Sequence, residues 1–191
     1  MPVISITLLP GYDAATEERL VRRLALAARS VIAAPAAGTT SFVNHASTYQ
    51  RDGRVIRTGG APHPDASDLV RDFLARMQAR ELDAARQFLA PGFVMHFPGG
   101  APMTRLEELL DWARTRYQRV GKKFDRIEES WGDGTTAVYC SGTLHGVWLD
   151  GSAFEGVRFV DRFEVAGGLI QRQDVWNDLA QARPQAASRQ S

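Results

Sequence analysis

Two Asp-Gly pairs, Asp133-Gly134 and Asp150-Gly151, most strongly constrain how this 191-residue chain can fold. An Asp-Gly pair between apolar segments is one of the strongest short signals of a β-hairpin. The segments around both pairs are long and rich in β-branched and aromatic residues, which favour strands. We therefore predict four successive antiparallel strands, at about residues 123–130, 135–149, 153–166 and 169–177.

Amphipathic segments precede these strands. Their apolar spacing predicts two helices and a short strand, at about residues 67–77, 82–89 and 93–97. Thr104 and Glu107 form a capping-box pattern at the start of a third helix, whose apolar face includes Tyr117 and Val120. Helices followed by a run of antiparallel strands are typical of an α+β fold, and residues 65–180 are expected to form one domain.

The first 57 residues show a different pattern. Val3–Leu9 is β-branched and partly alternating, Thr40–Asn44 has the same character, and apolar residues between them recur at helical spacing. Two strands joined through a helix lie parallel in a βαβ unit. The Gly- and Pro-rich segment 58–64 is predicted to be a linker, and the segment 181–191, made mostly of Ala, Arg, Gln and Ser, is predicted to be disordered.

The size of the βαβ unit predicts self-association. A unit of about 57 residues buries too little surface to be robust alone. Its helix has one apolar face, and its sheet has a second face that nothing in the unit covers. We expect the protein to be a homo-oligomer in which residues 1–57 supply the main contact.

Composition excludes several function classes. A formal net charge of +1 without a dense basic stripe argues against a nucleic-acid partner. No apolar run approaches the roughly 20 residues that span a bilayer, and no basic leader precedes an apolar segment, so we expect a cytoplasmic protein without a membrane partner. A single cysteine, Cys140, excludes an internal disulfide and a cysteine metal cage. No glycine-rich phosphate loop or dinucleotide motif is present, and we expect no cofactor.

Pro2 is a candidate general base. Removal of Met1 would leave Pro2 with a free secondary amine, the one backbone nitrogen of the chain that can accept a proton. A solvated α-amino group has a pKa near 8, and burial in an apolar pocket lowers that pKa. An amine with a pKa near neutrality suits proton transfer.

Strand alternation singles out Asp161. Phe159, Phe163 and Val165 must face the interior of the second domain, and a two-residue period takes Asp161 with them. A buried carboxyl group is normally paired, hydrogen-bonded or protonated, and burial also suits an acid or a base. Structural pairing and catalysis both remain open for Asp161.

Other candidate residues lie near the same predicted interior. Asp174 and Trp176 share one side of the last strand, and Tyr117 is a candidate substrate-binding residue. His145 is either a pocket acid or an interface residue. The histidines are scattered without HxH or HExxH spacing, and we therefore expect no metal site.

The first unit resembles the 4-oxalocrotonate tautomerase family. The residues that carry the resemblance are Met1-Pro2-Val3-Ile4-x-Ile6, the turn at Gly11, Ala34-Pro35 and Phe42-Val43-Asn44. The resemblance implies an oligomer in which Pro2 moves protons between enol and ketone carbons. The family's two substrate-binding arginines are replaced by Tyr12 and Thr40, so a dicarboxylate substrate is not expected. Tyr12 is instead a candidate hydrogen-bond donor to an enolate oxygen.

The second unit resembles the cone-shaped fold of ketosteroid isomerase, SnoaL-like polyketide cyclases and nuclear transport factor 2. The carrying residues are Arg80-Glu81-Leu82-Asp83-Ala84, Val94-x-His96-Phe97-Pro98-Gly99-Gly100, Arg162-Phe163-x-Val165-x-Gly167 and Asp174-Val175-Trp176. The resemblance implies that His96 is a candidate base and that Trp176 lines the pocket. The catalytic set of ketosteroid isomerase itself is not kept, which argues against steroid isomerisation.

These features together predict a cofactor-independent isomerase or tautomerase. Pro2 is its expected base in the first unit, and Asp161 and His96 are the expected catalytic residues of the second. The substrate is expected to be a small enolisable carbonyl compound. The alternative is a non-enzymatic protein, in which the cone binds a hydrophobic ligand and the first unit serves as an oligomerisation module.

Overall fold

The computed structural model describes residues 1–183. Its contacts divide the chain into two compact units, of which the first is Met1–His63 and the second begins at Pro64. Each unit has its own sheet. None of the helices among these residues is both long and apolar enough to cross a membrane.

The first unit contains two parallel strands joined through a helix. Its elements are β1 (Val3–Leu8), α1 (Ala14–Val31), β2 (Thr40–His45) and a hairpin of β3 (Tyr49–Arg51) and β4 (Arg54–Ile56). β1 and β2 pair in parallel, with Val3 opposite Thr40. Asp13 begins α1 by accepting a hydrogen bond from the Thr16 amide at 2.8 Å, which satisfies one of the free N–H groups of the first turn.

Little of this first unit is buried. α1 has no buried residue, and the strands alternate between half-buried and exposed positions. Several apolar side chains are exposed to solvent, including Val3 at 65% and Val31 at 87% exposure. Within residues 1–183 the unit therefore lacks the closed hydrophobic core that usually stabilises a domain.

The second unit is an α+β fold with a five-stranded sheet. Its elements are α2 (Ala66–Gln78), α3 (Leu82–Arg86), β5 (Leu89–His96), α4 (Leu106–Arg114), β6 (Tyr117–Trp131), β7 (Thr135–Trp148), β8 (Ala153–Ala166), β9 (Leu169–Asn177) and α5 (Leu179–Ala182). The strand order is β5-β9-β8-β7-β6. Every pair is antiparallel except β5 with β9, which is parallel. The four predicted strands and their two Asp-Gly turns are present.

Both predicted boundaries of the third helix are wrong. The third helix begins after Arg105, because Glu108 accepts hydrogen bonds from the Thr104 and Arg105 amides at 2.8 and 3.1 Å. It ends at Arg114, and Tyr117 already belongs to β6 because it pairs with the far end of β7. The short helix α5 occupies the start of the predicted disordered tail, whose residues 184–191 lie outside the described part of the chain.

Bulges shift the alternation of several strands. In β8, Phe154 and Val157 are both buried although they are three residues apart, because an extra residue lies opposite β7 and Gly156 adopts a φ of +72°. β6 has an extra residue after Phe124, and β9 has one between Ile170 and Arg172. A bulge bends its strand and reverses the face of every later side chain, so bulges such as these decide which residues face inward.

The hydrophobic core lies between the helices and the inner face of the sheet. Phe73 from α2, Leu106, at the start of α4, and Met95, Phe163 and Ile170 from the sheet are almost completely buried. Phe73 and Phe163 meet edge to face with ring centroids 6.0 Å apart, a favoured aromatic geometry. This packing holds α2 over the centre of the sheet and leaves a cavity beside it.

Candidate functional site

A cavity of about 260 Å³ lies between the helices and the inner face of the sheet of the second unit. Most of its wall is apolar and includes Phe73, Leu74, Phe97, Leu144 and Val175. Its polar side chains include Asp161, Lys122, Gln173, Asn177 and Tyr117. An apolar pocket with a few convergent polar groups is the usual form of a small-molecule site.

Asp161 lies at the wall of this cavity, on the inner face of β8. Its side chain has no solvent exposure, and its neighbours on the same face, Phe159 and Phe163, are also buried. The Oδ2 atom accepts a hydrogen bond from Lys122 Nζ and lies 3.5 Å from Gln173 Nε2. The Oδ1 atom is buried and has no hydrogen-bond partner among residues 1–183. One carboxyl oxygen is therefore held in place, while the other makes no hydrogen bond within the described residues.

Lys122 reaches Asp161 from β6, across the intervening strand β7. Its side chain is 23% exposed, and its ammonium group lies 4.8 Å from the centre of the Phe159 ring. A buried carboxylate needs a paired charge or hydrogen bonds, and Lys122 supplies both. Sequence reasoning missed this residue, because Lys122 lies just before the predicted strand at about 123–130, between Gly121 and Lys123, and no motif includes it.

Tyr117 lines the same cavity from the first residue of β6. Burial raises the pKa of its hydroxyl to about 12, although Arg80 and Arg116 oppose the shift. The hydroxyl group therefore keeps its proton at neutral pH, and no hydrogen bond engages it within residues 1–183. It is available as a donor to a bound molecule.

The structure corrects the expected positions of Asp174 and Trp176. The extra residue in β9 reverses its alternation, so that Gln173, Val175 and Asn177 line the cavity. Asp174 and Trp176 lie on the opposite face of the sheet, and Trp176 is 54% exposed. Asp174 and Trp176 do share one side of β9, as predicted, but that side faces away from the cavity.

His96 lies on the same outer face, and its expected position in the pocket is also corrected. On β5 the inward positions are Phe93 and Met95, which leaves His96 on the other side. Its Nδ1 atom is 3.0 Å from Asp174 Oδ1. Arg172 also donates to Asp174, at 2.8 and 2.9 Å. His96 thus lies beside the ion pair of Asp174 and Arg172 on the outer face of the sheet.

Asp174 is the carboxylate that both His96 and Arg172 contact. Burial by itself raises its pKa, but the hydrogen bond and charge of Arg172 and the nearby His96 outweigh burial and hold the pKa below its usual value. Asp174 therefore stays ionised at neutral pH and balances the charge of Arg172.

His145 also lies outside the cavity. Its neighbour Leu144 is buried and lines the cavity, so His145 projects from the other face of β7. Its ring packs beside Gly121 on β6, where a side chain in place of the glycine hydrogen would collide with it. A role for His145 as an acid in the pocket has no support from this position.

Pro2 and Tyr12 belong to the first unit. Pro2 is half-buried and precedes β1, and its carbonyl accepts a hydrogen bond from the Thr40 amide at 3.1 Å. Met1, attached to the Pro2 nitrogen, is 92% exposed. The ring of Tyr12 packs closely over Gly59, where no side chain larger than hydrogen fits.

The candidate site offers neither a metal centre nor a reactive thiol. Within residues 1–183 no group of three or more His, Cys, Asp or Glu side chains is arranged to hold a metal ion. Cys140 is fully buried beside Asp161, and burial followed by the charge of Asp161 raises its pKa to about 12. The thiol is therefore uncharged at neutral pH and acts as part of the core.

Two solved structures share the fold of the second unit. An NTF2-like protein of unknown function from Burkholderia pseudomallei is 18% identical with a TM-score of 0.52, and the match covers 60% of this chain and 91% of that one. An NTF2-like protein from Burkholderia thailandensis is 21% identical with a TM-score of 0.50, over 62% of this chain and 97% of that one. No curated protein matches the chain.

The family comparison covers the segment that builds the cavity. The family described as SnoaL-like domain matches residues 70–173, from the middle of α2 to the strand that carries Gln173. The match includes Asp161, Lys122 and Tyr117, and it spans more than half of the chain. The protein is therefore a member of the SnoaL-like domain family.

Proposed function

We propose that the second unit is a cofactor-independent isomerase that moves a proton next to the carbonyl group of a small enolisable substrate. The environment of the Asp161 carboxyl group gives this proposal its strongest support. This carboxyl group is buried in an apolar cavity, and its Oδ1 atom has no partner among residues 1–183. A positioned carboxylate with one free oxygen is suited to accept and return a proton.

The reaction uses two groups of the cavity wall. Asp161 Oδ1 accepts a proton from the carbon next to the carbonyl, and the electron pair of the broken C–H bond moves toward the carbonyl oxygen. Tyr117 donates a hydrogen bond to the oxygen on which negative charge develops. Asp161 then returns the proton to the enolate oxygen, which gives the enol, or to a second carbon where the enolate is conjugated, and the net result is an isomer of the substrate.

Lys122 and Gln173 position the carboxyl group. Both contact the Oδ2 atom, which fixes the plane of the carboxyl and leaves Oδ1 open. The ammonium of Lys122 also compensates the charge of Asp161, whose side chain has no solvent exposure. An unpaired charge at a fully buried position would be strongly unfavourable.

Hydrogen exchange tests this proposal whatever the structure of the product. Aryl and alkyl ketones and keto acids are incubated in D₂O, and NMR follows deuterium incorporation next to the carbonyl. With Pro2 replaced by Ala to exclude the first unit, we expect the protein to accelerate exchange for at least one compound and Asp161→Asn to abolish the acceleration. Exchange that is equally fast in the variant would remove Asp161 from the mechanism.

The apolar wall of the cavity supports a second candidate function. A protein that only binds a hydrophobic ligand needs the same wall, and the ion pair of Asp161 with Lys122 would then be structural. The two functions differ in the exchange assay. A pure binding protein binds a carbonyl compound without accelerating exchange, and Asp161→Asn leaves its affinity nearly unchanged.

We also propose that Pro2 is a general base in the first unit. This proposal requires removal of Met1, whose side chain is exposed. The parallel pairing of β1 with β2 and the place of Pro2 directly before β1 support it. Pro2 would then ketonise a simple enol, a reaction of the same class as the one proposed for Asp161.

The exposed apolar surface of the first unit supports self-association. Val3 and Phe42 lie on the face of the two-stranded sheet that α1 does not cover, and both are exposed. We propose that a second copy of the chain covers this face. Phe42→Glu is expected to shift sedimentation toward the monomer, whereas Leu149→Glu, at an exposed turn of the second unit, is expected to leave it unchanged. A wild-type protein that sediments as a 21.0 kDa monomer at micromolar concentration would exclude the oligomer.

A further inference from the structure

The positive and negative charges of the side chains that line the cavity are unequal in number. Three are cations, Arg71, Arg80 and Lys122, and one is a carboxylate, Asp161. Lys122 pairs with Asp161, and Arg71 pairs at 2.9 Å with Asp68, one turn earlier on the exposed side of α2. Arg80 has no carboxylate within ion-pair distance in the described part of the chain. One positive charge of the wall is therefore left without a protein partner.

Arg80 occupies a backbone position that normally belongs to glycine. It follows α2 with a φ of +62°. Its amide donates to the Met77 carbonyl at 3.2 Å, and the next amide, of Glu81, donates to the Arg76 carbonyl at 3.0 Å. This is the bonding of a Schellman motif, in which glycine adopts the left-handed conformation without strain. An arginine there is strained, and residues held in this way cluster at ligand-binding sites.

The side chain of Arg80 lies where the cavity meets solvent. It is exposed, yet it contributes to the cavity wall, and its charge acts on the buried hydroxyl of Tyr117. The other arginine near Tyr117 is already engaged. Arg116 lies 4.0 Å from the centre of the Trp112 ring and donates to the Trp112 carbonyl at 2.9 Å.

The remaining wall indicates what the rest of the ligand is like. Phe97, Trp112, Phe124 and Phe159 present aromatic rings to the cavity, and such rings favour a flat apolar group. A guanidinium group at the mouth favours a carboxylate, which it can bind through two parallel hydrogen bonds. The cavity thus combines an aromatic interior, a proton-transfer carboxyl and a cationic mouth.

We propose that Arg80 binds the carboxylate of the substrate at the mouth of the cavity, and that the substrate class is an aryl-substituted keto acid. The role of the keto group rests on the proposed function, whereas the role of Arg80 does not. Arg80 is then a specificity-determining residue. It holds the anionic end of the ligand while the aromatic end enters the cavity.

A binding experiment tests the role of Arg80 independently of catalysis. The probes are phenylpyruvate and its methyl ester, which differ in the negative charge, and binding is followed by NMR saturation transfer or titration of tryptophan fluorescence. The variants are Arg80→Gln and Arg80→Gly. Arg126→Gln is the matched control, because Arg126 is 74% exposed, does not line the cavity and carries the same charge.

We expect the wild type to bind phenylpyruvate about tenfold more tightly than the ester. Both Arg80 variants lose this preference, and Arg126→Gln keeps it. Arg80→Gly has a second expected effect, since glycine relieves the backbone strain. Its melting temperature rises by about 2–4 °C even though the anion binds less tightly.

Three results would overturn the inference. The first is equal affinity of the wild type for the two probes, the second is an unchanged preference in the Arg80 variants, and the third is no binding of either probe at millimolar concentration. The exchange assay reports on the proposed function separately. Asp161→Asn is expected to keep the preference for phenylpyruvate, so that a preference without exchange would support Arg80 and reject catalysis.

Discussion

Lys122 and Asp161 form an ion pair inside the second unit although they lie on strands that do not touch each other in the sheet. Asp161 is completely buried, whereas the side chain of Lys122 is 23% exposed. Loss of the lysine leaves a buried carboxylate without its charge partner, whereas loss of the carboxylate leaves an ammonium that can still reach water. The two partners are therefore expected to contribute unequally to stability.

A double-mutant cycle on this pair measures that asymmetry. We expect Lys122→Met to lower the free energy of unfolding by about 3 kcal/mol and Asp161→Asn by about 1 kcal/mol. The double variant should lose less than the sum, because neither partner is then left alone. Urea denaturation gives all four values, and strictly additive losses would show that the two side chains do not stabilise each other.

Tyr117 is expected to act on the rate of the reaction more than on binding. Tyr117→Phe keeps the ring and removes the donor, so kcat should fall about 10²-fold with little change in KM. Because burial raises the pKa of Tyr117 to about 12, no loss of activity from its ionisation is expected below about pH 11. A rise in KM at unchanged kcat would instead assign Tyr117 to substrate binding alone.

The interactions of Asp174 with Arg172 and His96 on the outer face of the sheet make a contribution to stability that is lost in acid. The pKa of Asp174 is lowered in the folded state, so its contribution is complete above the unfolded pKa of about 3.9 and is lost as pH falls through the folded pKa. The stability difference between wild type and Asp174→Asn should therefore shrink below about pH 4. Asp133→Asn, in an exposed turn, serves as the control, and a difference independent of pH would contradict the lowered pKa.

Pro2 is tested in the mature protein, after intact mass has shown that Met1 is absent. In an Asp161→Asn background, where the second unit contributes no proton transfer, we expect Pro2→Ala to lower the rate of ketonisation of phenylenolpyruvate by about 10²–10⁴-fold, because a primary amine differs in basicity and geometry. Pro10→Ala, at the other end of β1, should retain the rate. Retention of Met1, or equal rates with and without Pro2→Ala in that background, would remove Pro2 from the chemistry.

Local patterns were sufficient for much of the fold. The Asp-Gly turns delimit the long strands, and the alternation of Phe159, Asp161 and Phe163 correctly places the carboxyl inside. Both signals act within a few residues and need no knowledge of distant contacts. The prediction that Tyr117 lies on a helix is wrong, because a short apolar segment fits helical and strand spacing equally well. Tyr117 nevertheless lines the cavity.

What the sequence did not reveal depends on bulges and on pairing between distant strands. The bulge in β9 sends Asp174 and Trp176 to the outer face, although alternation from the buried Ile170 would place them inside. Lys122 reaches Asp161 from two strands away, and at a sequence separation of 39 residues no periodic signal indicates the contact. Such features appear only when the register of the whole sheet is known.

The measurement that tests the central claim most directly is the rate of deuterium exchange next to the carbonyl of phenylpyruvate. The variants to compare are Asp161→Asn and the surface control Asp133→Asn, both in a Pro2→Ala background so that the first unit contributes no proton transfer, and each checked for folding by its thermal transition. We expect Asp161→Asn to lower the protein-catalysed rate by about 10²–10⁴-fold and Asp133→Asn to leave it unchanged. A folded Asp161→Asn protein with the rate of its Pro2→Ala parent, or a parent that does not accelerate exchange, would contradict the assignment of proton transfer to Asp161.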